Sequence, residues 1–168
     1  MKGIIALNST EESDVLAALE EAKESGDIQW VRPLLETYRG HESEVIRAEI
    51  RTMLGSLKIS AASDVLADAL EDPEFAGFEA DIIGFMWSSG FLPEESLRTV
   101  TACATDGDLQ CVVEALTWVE ELENVHDEHQ LLDSILLVRG AIEDDQKPEA
   151  KDLYEALLSA LLVLENQQ

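Results

Sequence analysis

The sequence predicts an all-α fold, a solenoid of stacked helical hairpins. Three observations carry that expectation. Apolar residues recur at helical spacing along the whole chain, and no segment alternates as a strand would. Turn-forming residues punctuate the chain every 12 to 18 residues. Equivalent apolar positions also return at a fixed interval: Ile50, Ile83 and Leu116 stand 33 residues apart, and Leu157 follows after 41. A period of that size, with two helices per unit, marks a solenoid, because one hairpin cannot cover its own apolar face and must stack on the next.

Taken in order, the spacing predicts about nine helices. The first spans Glu12 to Ser25 and turns Val15, Leu16, Leu19 and Ala22 inward. The second, Ile28 to Arg39, starts on Asp27 as an N-cap and closes at Gly40. Its Pro33 is expected to bend it or leave a carbonyl unpaired. The third, Ser43 to Leu57, aligns Ile46, Ile50, Met53, Leu54 and Leu57, and the fourth covers Ser60 to Glu71. Asp72-Pro73 then breaks the chain before the most apolar stretch, Phe75 to Phe91. There Phe78, Ile82, Phe85 and Met86 share a helical face that Ile83 and Trp87 widen, which leaves only Gly77, Asp81, Gly84 and Ser88 as a thin polar strip. A helix of that composition belongs inside, between neighbours. The sixth helix starts at Pro93-Glu94-Glu95, a favourable first turn, and runs to Ala104. The turn Asp106-Gly107-Asp108 leads to the seventh, Leu109 to Leu122. The eighth, His126 to Arg139, ends at Gly140, and after the acidic loop Glu143-Asp144-Asp145-Gln146-Lys147 the ninth runs from Pro148 to Glu165. The expected organisation is one domain over residues 1–168, with an extra N-terminal helix (12–25) and repeats over about 27–57, 60–89, 93–122 and 126–165.

At the third helix the pattern becomes more specific. Ser43-Glu44-Val45-Ile46-Arg47-Ala48-Glu49-Ile50-Arg51-Thr52-Met53-Leu54-Gly55 resembles the second helix of a HEAT repeat, with its polar turn, Val and Arg, spaced small or apolar residues, and Leu-Gly ending. Ile46 separates the Val from the Arg, a departure from the family pattern. Pro33 in the preceding helix is similar to the proline that often bends the first HEAT helix. Asp72-Pro73-Glu74 and Asp106-Gly107-Asp108 resemble the inter-helix turn, although those repeats lack the arginine and the Leu-Gly. The resemblance spans about Asp27 to Leu122. It implies a right-handed α-α superhelix of HEAT-like hairpins whose second helices line a concave inner face.

Composition narrows the function. Thirty-six Asp and Glu face eleven Lys and Arg, a formal net charge of -25. Such a field repels nucleic acid and anionic membranes and attracts basic surfaces. The apolar run at the N-terminus is too short for a signal peptide core, and Leu157 to Leu164 is far short of the ~20 residues that span a bilayer. The expected location is the cytoplasm. Cys103 and Cys111 fall in apolar-periodic helices and read as buried free thiols.

No catalytic residue, metal site or cofactor is expected. His126, His129 and Asp133 would share a helical face and reach a divalent metal, but the spacing lacks the zinc-hydrolase arrangement, and an acidic first helical turn explains it. The Asp106-Gly107-Asp108 turn lacks the donor series of a calcium loop. What remains is a surface. The side of each second helix opposite its apolar stripe offers Glu44 and Arg51, then Asp81, then Glu114, Thr117, Trp118 and Glu121, then Glu155. Trp118 stands there as an aromatic anchor ringed by carboxylates, or else as core on the seam between repeats. The expectation is a non-enzymatic scaffold or adaptor whose acidic concave face takes a protein partner of basic or mixed charge. The alternative is an acidic inhibitor or immunity protein that mimics nucleic-acid charge to neutralise a basic toxin or nuclease. The apolar last helix also allows a homodimer through terminal helices.

Overall fold

The computed structural model describes residues 2–145 and 147–167, so Gln146 of the acidic loop lies outside the described residues. Among the described residues there is no strand, and ten α-helices follow one another: α1 (Lys2–Ala6), α2 (Glu12–Ser25), α3 (Val31–Gly40), α4 (Glu44–Leu54), α5 (Ala62–Glu71), α6 (Glu79–Ser89), α7 (Leu97–Asp106), α8 (Leu109–Glu120), α9 (Glu128–Asp144) and α10 (Lys151–Glu165). The helix beyond the expected nine is α1. It packs on α2, and Leu7 after it is buried. Gly3 permits that approach, since a Cβ there would sit 2.6 Å from the Trp30 ring.

Where the chain departs from the spacing, the reason is local. Short 3-10 turns at Ile28–Trp30, Pro73–Phe75, Glu94–Ser96 and Pro148–Ala150 precede α3, α6, α7 and α10. Because α3 proper begins only at Val31, Pro33 falls in its first turn, where a missing N–H costs no helical bond. The expected bend is therefore unnecessary. The central helix likewise starts later than expected, with Phe78 as its N-cap rather than a member of its face. Gly140 does not end α9, which continues to Asp144 and stops at Asp145 in the left-handed conformation (φ 48°). Side-chain caps fix other starts: Asp27 accepts from the Gln29 N–H at 3.1 Å, and Asp108 accepts from the Cys111 N–H at 3.0 Å.

Consecutive helices pair as hairpins: α1 with α2, α3 with α4, α5 with α6, α7 with α8, and α9 with α10. Hairpins stack through like members. In one layer α2, α4, α6, α8 and α10 are successive neighbours, and in the other α3 packs on α5 and α7 on α9. Polar ties repeat along the stack at an interval close to the 33 residues of the apolar pattern. Arg39 donates to the Glu74 carbonyl, Ser89 to the Leu54 carbonyl and Gln130 to the Glu95 carbonyl, each pair 35 residues apart. The buried apolar side chains form one cluster from Leu7 to Leu164. Ile50, Ile83 and Leu157 are fully buried in it, while Leu116 is partly covered against it. Burial of α6 is as the spacing predicts: Ile82, Ile83, Phe85 and Met86 are enclosed, and Ser88 is exposed.

Candidate acidic face on the second helices

The row that the sequence singles out lies on α4, α6, α8 and α10, which are neighbours. Glu44 and Arg51 are both exposed and stand 3.5 Å apart across two turns of α4, so they largely neutralise each other. Arg51 also lies over the Tyr38 ring, 5.7 Å from its centroid. Asp81 is half-buried in the first turn of α6, where a carboxylate complements the helix dipole. Glu121 and Glu155 are exposed. Thr117 is half-buried, and its hydroxyl donates back to the Val113 carbonyl at 3.1 Å, so it offers a partner little.

Trp118 does not belong to the face. It is fully buried, and its indole N–H has no acceptor among the described residues. The enclosed side of α8 comprises Cys111, Val112, Ala115, Trp118 and Val119, because α6, α7 and α10 all pack against this helix. The core alternative for this residue is the one the structure contains. The aromatic of the row is instead Trp87 of α6, half-buried, whose Nε1 donates to Glu114 at 2.7 Å. Gln110 donates to the other oxygen of Glu114 at 2.6 Å. Gly84 makes room for this junction, since its missing Cβ would lie 3.2 Å from the Glu114 carboxylate. Leu109 and Val113 are exposed on the same helix as Glu114. The sequence signal for this junction was Gly84 three residues before Trp87, with Gln110 four before Glu114.

Charge is one-signed on α6 and α8, whereas α4 contributes Arg51 and α10 begins with Lys151. Arg98 is the sole Lys or Arg between Lys58 and Arg139. It belongs to α7 in the other layer and faces Asp133 of α9 at 3.6 Å. Among the described residues Arg47 forms no ion pair with a neighbouring turn. Its guanidinium lies over Tyr38 at 4.9 Å, with Nε buried and unpartnered.

The remaining clusters resolve differently from their spacing. His126 precedes α9 rather than sharing its face with His129 and Asp133. Its backbone N–H donates to Glu94 at 2.7 Å, and its ring Nδ1 lies 3.2 Å from the same carboxylate. Among the described residues no three His, Cys, Asp or Glu side chains form a group able to hold a metal. Cys111 is buried and Cys103 half-buried. Burial pushes the Cys103 thiol up to about 12 and the Cys111 thiol up to about 11. Such thiols are poor nucleophiles at neutral pH. The Asp106-Gly107-Asp108 turn is a junction: Lys147 donates to the Thr105 carbonyl at 2.9 Å and also to that of Gly107, and Tyr154 donates to the Ala104 carbonyl at 3.1 Å. The loop and helix after α9 thereby satisfy the free carbonyls at the end of α7.

Among the described residues no helix is long and apolar enough to cross a membrane. Comparison of the chain with family models, with curated proteins and with solved structures gave no match.

Proposed function

We propose that the chain is a HEAT-like solenoid, wound as a right-handed superhelix, that works as a non-enzymatic scaffold or adaptor for a protein partner. The observation that carries this reading is the side-by-side run of α4, α6, α8 and α10, with a carboxylate row whose middle members, on α6 and α8, lie in the stretch 59–138 where Arg98 is the sole Lys or Arg. Asp81, Glu114, Glu121 and Glu155 supply its charge. Trp87, held by Glu114, supplies the apolar anchor in place of Trp118. A basic or mixed segment docks there, its ammonium or guanidinium groups meeting carboxylates that carry no competing cation. Free thiols fit a reducing compartment, which supports a cytoplasmic location.

The test is quantitative affinity capture from a native lysate with three baits. Wild type and a variant reversed on α9 (Glu143→Lys, Asp144→Lys) are expected to retain the same partner. A row variant (Asp81→Lys, Glu121→Lys, Glu155→Lys) is expected to lose it. Equal recovery on all three baits removes this face as the docking site. The charge also supports a second reading, an inhibitor of one basic toxin or nuclease. That reading requires a single cognate protein whose affinity falls steeply with salt.

A further inference from the structure

We infer that the cavity between α2, α3 and the end of α4 binds a medium-chain aliphatic carboxylate. It is a half-open cleft of about 400 Å³, floored by the buried Trp30, Val31 and Leu34 and walled by the partly exposed Met53, Leu57 and Ile59. That volume lies within the range of small-molecule sites, which are mostly apolar with a few placed polar groups. At about 30 Å³ per non-hydrogen atom, the share of a water in the liquid, it holds roughly a dozen such atoms. A carboxylate of about ten carbons has that size. Met53 lets the wall adapt, because an unbranched thioether fills irregular space.

The head group follows from the charges in the lining, which are Lys23, Asp27 and Lys58. Lys23 is committed to Glu20 at 2.8 Å and to Glu49. The Asp27 carboxylate accepts from the Gln29 N–H. Lys58, exposed in the loop after α4, makes no ion pair or side-chain hydrogen bond among the described residues. A largely apolar cleft with one uncommitted ammonium calls for an apolar tail with an anionic head. The net charge of the chain opposes any anion at long range, but that field decays over about 8 Å at physiological salt, whereas the Lys58 contact is local.

Calorimetric titration with sodium hexanoate, octanoate and decanoate, below their micelle concentrations, tests the assignment. Each methylene that becomes buried is expected to tighten binding about four-fold. Lys58→Met is expected to lower the ratio of octanoate to octan-1-ol affinity at least ten-fold. Ser56, just after α4, is exposed, and among the described residues its hydroxyl bonds only the Thr52 and Met53 carbonyls, so Ser56→Trp blocks the mouth without entering the core. It is expected to abolish binding of both ligands at unchanged helical circular dichroism. No saturable binding by wild type, an unchanged ratio in Lys58→Met, or wild-type affinity in Ser56→Trp each overturns the inference.

Discussion

Of the two readings open for Trp118, anchor or seam core, the structure contains the core one, and this has energetic consequences at single residues. Enclosing the Trp118 indole buries an N–H without an acceptor, at a cost of about 1–3 kcal/mol. The ring outweighs that cost, because truncating a buried aromatic to alanine removes about 3–5 kcal/mol. Trp118→Ala is therefore expected to lower the unfolding free energy by about that amount in urea titration. Trp118→Phe, which also deletes the orphaned N–H, is expected to cost less than half as much. The two thiols give a pH-dependent counterpart. Their pKa values are raised from an ordinary 9.0 to about 12 for Cys103 and about 11 for Cys111, chiefly by burial. The folded chain thus holds these protons more tightly than the unfolded chain does. The corresponding stability is complete below the ordinary cysteine range and is lost as pH rises from 9.0 through 11 and 12. Native protein at about pH 8 is expected to react with an aromatic disulfide reagent far more slowly than urea-unfolded protein does. Equal rates would contradict the burial.

Helices were legible in the sequence wherever one stripe of apolar residues dominated, and their ends were legible wherever a side chain caps the backbone. The first and last residues of α2 agree with the spacing, Asp27 caps where expected, and Asp108 of the expected turn caps α8. Three features were not legible, each for a physical reason. The N-terminal helix α1 has only five residues and no stable existence apart from its neighbour. The 3-10 lead-ins depend on how the chain enters the stack, so Pro33 looked disruptive when it is harmless. The face of α8 could not be assigned because apolar residues occupy several of its sides, and only packing against α6, α7 and α10 decides that Trp118 is covered. Gly140 is the clearest misreading, since a glycine near the end of an apolar pattern resembles a C-cap. In the structure it sits inside α9 with nothing within 4 Å of where a Cβ would be. Gly140→Ala is therefore expected to raise stability by about 0.5–1 kcal/mol through the backbone entropy of the unfolded chain. Denaturant unfolding measures this directly. A loss of stability would mean that α9 does end at residue 140.

For the molecule as a whole the governing quantity is uncompensated charge. Thirty-six acids and eleven Lys and Arg leave most carboxylates without a partner, and the few ion pairs are partly exposed, as with Arg32 to Asp72 at 2.7 Å. Pairs of that kind contribute about 0–1 kcal/mol each, and salt weakens them. The mutual repulsion of the remaining acids acts on the compact state over the whole stack, and salt weakens that too. The two effects oppose each other in sign, so their sum is measurable. Raising ionic strength from about 0.01 M to about 1 M shortens the screening length from about 30 Å to about 3 Å. With so many unpaired acids per ion pair, relief of repulsion should dominate. The thermal midpoint is expected to rise by at least about 4 °C, equivalent to roughly 1–2 kcal/mol in a chain of this length. Partner binding at the acidic row should respond in the opposite direction, because there the same screening removes attraction. A chain that gains thermal stability with salt while losing its partner matches this balance. A midpoint that falls with salt would show instead that the ion pairs across the stack, such as Lys23 to Glu49 between α2 and α4, carry more of the fold than their exposure suggests.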